Sequence, residues 1–220
     1  MNSILQRVYV VCTKVRELNS NPISFKKLVS QTRKQFKLEQ FDLILRTKKE
    51  KSLDCTEFYV NAYYDADEDS IDEPAIEVVV YHNFEDREQF SEVQITDFLK
   101  EIFDATVHEY KHKQQSMERN YHTYSAHDRS QYSAYLSDPD EVDAYAFSIA
   151  IELLRTLGRQ RTQMYLTRIT VLSKVRQGPK LVSPNLHAYI QHFGLDDLVK
   201  RLAKKVYKHL ETIDTRYVFV

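Results

Sequence analysis

The stretch ITDFLKEIFDATVHEYKHKQQ, residues 95–115, decides the fold of this protein and directs the search for its function. Its apolar residues recur every three or four positions, which is typical of a helix with one buried side. That side is formed by Phe98, Ile102, Ala105 and Glu109. Thr96 is suited to cap the start of the helix, because a threonine hydroxyl accepts a hydrogen bond from a backbone N–H of the first turn.

The same stretch contains the pattern HExxH, in which His108 and His112 are four residues apart and Glu109 follows the first histidine. Side chains at positions i and i+4 project from the same side of a helix, so two neutral imidazoles can bind one zinc ion. Glu109 is rotated by about 100° from His108, which directs its carboxylate towards a water on the metal. The pattern therefore predicts both metal ligands and a general base.

A catalytic zinc requires a third protein ligand, and a second strong helix offers one. It begins at Asp138-Pro139, which is a favourable helix start, and Gly158 is expected to end it. Glu141 lies in its first turn and is the predicted third ligand. Asp143 is about 200° away around the helix, so it is expected to point elsewhere.

HExxH followed after about thirty residues by ExxA resembles the gluzincin metallopeptidases. The stretch Glu141-Val142-Asp143-Ala144-Tyr145-Ala146-Phe147 is similar, more narrowly, to the E-x-E-A-N-x-F-A motif of the ImmA/IrrE-type family, with Tyr145 replacing the usual Asn or Asp. The resemblance covers roughly 75 residues, from the predicted strand at 76–82 to the helix that ends near 157. It implies a small α+β metallopeptidase core, zinc ligands at His108, His112 and Glu141, and Glu109 as the general base.

Three further polar residues are candidates for the same site. Tyr145 lies one turn after Glu141 and is a candidate hydrogen-bond partner of a zinc-binding histidine. Peptide hydrolysis also needs a donor for the developing oxyanion, and His127 and Tyr135 lie in the tyrosine-rich segment just before the second helix. Other tyrosines and histidines of that segment remain alternatives.

The rest of the chain predicts a predominantly helical α+β fold, in which a small antiparallel or mixed sheet packs on the metallopeptidase core. Helices are expected at 3–18, 24–37, 160–176, 184–193 and 195–212, and strands at 41–46, 55–64 and 76–84. The strand at 55–64 alternates in polarity, and we expect it to form an antiparallel hairpin with the strand at 76–84 across an acidic connection, DADEDSIDEP. We predict a single domain, with N-terminal helices in 1–40, a zincin-like core in 41–158 and basic helices in 159–220.

The composition of the chain predicts its cellular location and its binding partners. The chain has two cysteines, lacks the pattern of a secretory signal and has no apolar run of the roughly 18 residues that a membrane span needs. We therefore expect a cytoplasmic protein without membrane contact, in the host cytoplasm if a phage or virus encodes it. From Arg155 to His209, twelve lysines and arginines face only Asp196 and Asp197. This excess predicts contact with nucleic acid or an acidic partner, or a solvated surface that pairs with the acidic middle of the chain.

The leading functional hypothesis is a zinc-dependent metallopeptidase in which Glu109 activates a zinc-bound water for attack on a peptide or protein substrate. A second hypothesis keeps the scaffold without turnover, as a structural or binding protein, with or without zinc, associated with a virion or with nucleic acid. A third is a zinc-free helical adaptor, in which the two histidines and Glu141 are ordinary helix residues.

Overall fold

The structure is a computed structural model that describes residues 2–19, 22–64, 76–85, 88–120, 132–168 and 182–219. These residues form a predominantly helical α+β protein with small sheets, as predicted. They fall into two compact units, one made of residues 3–122 with Phe219 and the other of residues 123–218. The organisation of the whole chain as one domain stays a prediction.

In its described residues, the first unit contains three helices and five strands. The helices are α1 (Asn2–Glu17), α2 (Phe25–Leu38) and α3 (Glu92–Glu118), and the strands are β1 (Ile23–Ser24), β2 (Leu43–Lys49), β3 (Phe58–Tyr63), β4 (Ile76–His82) and β5 (Gln89–Phe90). The helices at 3–18 and 24–37 and all three strands expected from the sequence are therefore confirmed, within a few residues at their ends. The two-residue strands β1 and β5, which pair with each other, were not predicted.

The larger sheet has the strand order β2-β4-β3 and is mixed. Strand β4 pairs antiparallel with β3, which confirms the predicted hairpin, and parallel with β2. Ile76, Val78 and Val80 are completely buried and share one face, because side chains alternate between the two faces of a strand. The acidic connection between β3 and β4 lies outside the described residues.

Helix α3 covers the buried face of this sheet. Phe98 lies 6.0 Å from Phe58 of β3, ring centre to ring centre, and 6.2 Å from Phe25 of α2. The helix begins earlier than the sequence suggested, because Ser91 caps it through a capping box with Gln94. The prediction that Thr96 is the cap is wrong, since its hydroxyl donates to the carbonyl of Glu92 within the helix.

The second unit is helical in all its described residues, apart from connecting segments. It contains α4 (Tyr132–Ser137), α5 (Pro139–Thr167), α6 (Pro184–Phe193), α7 (Asp197–Thr212) and a short 3-10 turn (Thr215–Tyr217). Helix α6 has the bounds that the sequence predicted, whereas α7 starts two residues later than expected. The part of the predicted helix 160–176 beyond residue 168 lies outside the described residues.

Both sequence signals named for α5 act on it, although Gly158 interrupts the helix instead of ending it. Asp138 caps its start by accepting a hydrogen bond of 2.8 Å from the N–H of Asp140. Gly158 breaks the regular helix, with φ 70° and ψ 168°, a combination that side chains with a Cβ avoid. A second helical segment then continues to Thr167, so α5 is kinked rather than ended at this glycine.

Helix α7 packs on α5 through its apolar side. Polar side chains near the start of α5 and just after Gly158 add contacts to the C-terminal half of α7 and to the residue that follows it. Asp143 accepts a hydrogen bond of 3.0 Å from Lys205, and His209 Nε2 lies 3.2 Å from the same carboxylate oxygen. Arg159 donates to the carbonyls of Leu210 and Ile213 at the C-terminal end of α7. The Lys205–Asp143 ion pair offsets one positive charge of the basic excess within the second unit itself. Among the described residues, no helix is both long enough and apolar enough to cross a membrane.

Candidate metal centre

His108 and His112 lie on one side of α3, and their imidazoles converge as the i, i+4 spacing predicts. The two Nε2 atoms are 3.3 Å apart. The ring centres are separated by 4.9 Å, and the ring planes meet at 73°. The two Nε2 atoms therefore lie next to each other, close enough to bind the same ion.

This separation matches the geometry of a shared metal ion. Two nitrogen ligands at roughly 2.0–2.1 Å from a tetrahedral zinc ion lie about 3.3 Å from each other. The histidines therefore have the spacing that binding requires without a change of helix geometry.

The protonation state of His108 also suits metal binding. Burial, and secondarily the neighbouring His112 imidazole, lower the pKa of His108 to about 3. The ring is consequently neutral at physiological pH, and the neutral imidazole is the form that can donate a nitrogen lone pair to a metal.

Glu141 is positioned by the first turn of α5, just after the Asp138 cap. One nitrogen of each histidine and one carboxylate oxygen of Glu141 all lie within 4.8 Å of one another, and all three residues are half-buried. The group His108, His112 and Glu141 can therefore hold a metal ion. Two nitrogens and one oxygen are a donor set that zinc accepts, and three protein ligands leave a fourth position for water or substrate.

The two acidic residues next to these ligands differ in their surroundings. Glu109 is buried, with 9% of its surface exposed. Few carboxylates are buried to this extent, and Glu109 is therefore not an ordinary surface residue that only contacts water. Asp143 is directed to Lys205 and His209, as the sequence predicted when it assigned Glu141 rather than Asp143 to the metal. The role of Glu109 as general base stays a prediction.

The surroundings of the remaining candidate residues do not test their predicted roles. Tyr145 packs edge-on against Tyr189, with 5.3 Å between ring centres, and Tyr135 is half-buried in α4. His127 lies outside the described residues. The assignments of Tyr145 as a partner of a zinc-binding histidine, and of Tyr135 and His127 as oxyanion donors, all stay predictions.

The comparisons with known proteins add no relative. No protein-family model, no curated protein and no solved structure matches this chain. The resemblance to gluzincins therefore rests on the two motifs and on the geometry of their ligands.

Proposed function

We propose that this protein is a zinc-dependent metallopeptidase of gluzincin type, most similar to the ImmA/IrrE-type family. The observation that carries the proposal is the convergence of His108, His112 and Glu141, whose ligand atoms lie within 4.8 Å of one another. Their order along the chain and their chemistry fit a catalytic zinc centre with one open position.

The chain's own residues divide the work of hydrolysis. A bound zinc would lower the pKa of water and polarise the peptide carbonyl. Glu109 accepts the proton of the attacking water and then delivers it to the leaving amine, for which a carboxylate sheltered from solvent is well suited. The imidazoles of His108 and His112, together with the Glu141 carboxylate, would hold the ion.

Zinc content and hydrolysis test the proposal together. Protein purified without added metal is analysed for metals, and hydrolysis of a mixed peptide library is followed by mass spectrometry. We expect about one zinc per chain and cleavage that a chelator abolishes. Glu109→Gln should retain zinc and lose cleavage, whereas Glu141→Gln should weaken zinc binding.

The matched control is Glu118→Gln, at the exposed end of the same helix. It should leave zinc content and cleavage unchanged. Cleavage by Glu109→Gln at the unmodified rate would refute the assigned base. Bound zinc without hydrolysis of any peptide would favour the alternative of a zinc-bound structural or binding protein, and the absence of zinc would favour the helical adaptor.

A further inference from the structure

A half-buried carboxylate lies on the same side of α3 as the histidines of the candidate metal centre. Glu101 precedes His108 by seven residues in this helix. Seven residues complete two helical turns to within about 20° and advance about 10 Å along the helix axis. Both residues belong to the first unit, and a molecule that contacts His108 can therefore extend along the helix to Glu101.

Between these two residues, the same side of α3 is partly exposed. Asp104 and Ala105 lie on it, and both are half-buried, as Glu101 and His108 are. The other residues between Glu101 and His108 are completely buried, namely Ile102, Phe103, Thr106 and Val107. The four half-buried residues are therefore the part of this stretch that a substrate can touch.

The sheet fixes the position of the Glu101 carboxylate. The N–H of Val60 in β3 donates a hydrogen bond to it. Strand β3 lies at the edge of the three-stranded sheet, so alternate N–H groups of this strand have no partner within the sheet. The carboxylate is therefore held beside the edge of β3, unlike the mobile carboxylate of an exposed surface residue.

The charge of Glu101 is only weakly compensated. Burial is the main cause that raises the pKa of Glu101 to about 6. The hydrogen bond from Val60 lowers this pKa, Asp104 raises it, and Lys100 lowers it less than Asp104 raises it. Within the described part of the chain, Glu101 forms no ion pair. At neutral pH the carboxylate is therefore mostly ionised, only partly solvated and without a paired cation.

The packing of α3 on the sheet does not require a carboxylate at this position. The amide oxygen of a glutamine would accept the hydrogen bond from Val60 without the cost of burying a charge. Desolvated acidic groups close to a reactive centre are typical of functional sites. A positively charged group of a bound molecule would supply the missing ion-pair partner of Glu101.

We propose that Glu101 selects substrates that carry a lysine or an arginine near the scissile bond, an inference that rests on the proposed metallopeptidase function. A charge pair that is partly shielded from solvent is stronger than one at an exposed surface. An extended peptide advances roughly 3.3 Å per residue, so the separation of about 10 Å from His108 corresponds to about three residues. The basic residue therefore lies roughly two to four positions from the scissile bond.

Cleavage of a peptide library prepared from a cell proteome tests this selection, with the residues around each cleaved bond identified by mass spectrometry. The unmodified protein should prefer lysine or arginine at one position roughly two to four residues from the bond. Glu101→Gln keeps the acceptor for Val60 and removes the charge. It should lower this preference roughly tenfold or more, because a partly desolvated charge pair is lost.

Glu92→Gln is the matched control, because Glu92 is exposed and lies about 180° around α3 from Glu101. It removes the same charge and should keep the preference for basic residues. Circular dichroism of both variants checks that the fold is intact. Cleavage without a preference for basic residues, or with a preference that Glu101→Gln leaves unchanged, would overturn the inference while the peptidase function stands.

A binding measurement separates this inference from the proposed function. Fluorescence anisotropy follows binding of the Glu109→Gln protein to labelled peptides in which one lysine replaces alanine at each position in turn. At least one lysine peptide should bind roughly tenfold more tightly than its alanine parent, and Glu101→Gln in the same protein should remove the difference. That result without cleavage by the unmodified protein would refute the peptidase function and retain Glu101 as a recognition residue for basic peptides. Equal binding of all the peptides would overturn the inference.

Discussion

Glu101 offers a quantitative test of how α3 packs on the sheet. It lies on α3 and is half-buried, and the N–H of Val60 in β3 donates a hydrogen bond to its carboxylate. Burial raises the pKa of Glu101 from 4.5 to about 6; the hydrogen bond from Val60 lowers it, and the nearby Asp104 raises it further. Burial is the dominant cause, so the charged carboxylate is destabilised in the folded protein.

The sign of the effect on stability follows from linkage. Folded Glu101 binds its proton more tightly than the unfolded chain does, so its contribution to stability is full below pH 4.5 and is lost as the pH rises towards 6. A shift from 4.5 to about 6 corresponds to about 2 kcal/mol at neutral pH. Glu101→Gln removes the charge while its amide oxygen still accepts the bond from Val60. We therefore expect the variant to be more stable than the unmodified protein at pH 7, by up to about 2 kcal/mol.

Urea unfolding of both proteins at about pH 4.5 and about pH 7 measures this difference. The gain should be present at the higher pH and small at the lower one. Glu92→Gln, at the exposed start of the same helix, should show no such gain. If the difference in unfolding free energy between the variant and the unmodified protein were the same at both pH values, desolvation of the Glu101 carboxylate would be refuted.

Two further substitutions test local features of the fold. Ser91→Ala should lower the free energy of unfolding by about 1 kcal/mol, because the α3 capping box is lost. Thr96→Ala should not lower it, since alanine favours the helix interior. Thermal unfolding of both variants decides between the two caps. Gly158→Ala should cost about 1–3 kcal/mol in urea unfolding, because the φ of 70° strains a residue with a Cβ although there is open space around it; an unchanged midpoint would contradict the kink.

Several elements could be predicted because their signals are local. The alternation of β3, the apolar run of β4 and the helical spacing of residues 95–115 all depend on neighbours within a few positions. Asp138-Pro139 and Gly158 act on α5 through their own backbone preferences. Such signals are present in the chain before any tertiary contact forms.

Other features could not be predicted because they depend on distant partners. The parallel pairing of β2 with β4 joins segments about thirty residues apart, and nothing within β2 specifies its neighbour. The true start of α3 was missed because Thr96 and Ser91 are both acceptable caps, and the choice depends on where the chain leaves β5.

The candidate metal centre divides in the same way. The sequence by itself determined that His108 and His112 share a helix face, because a fixed rise and twist bring i and i+4 side chains together, here to 3.3 Å between nitrogens. Only the tertiary structure decided that the Glu141 carboxylate completes a group within 4.8 Å, since twenty-eight intervening residues leave that distance open. Helix geometry acts over one turn, whereas the approach of a third ligand depends on how the remaining chain packs.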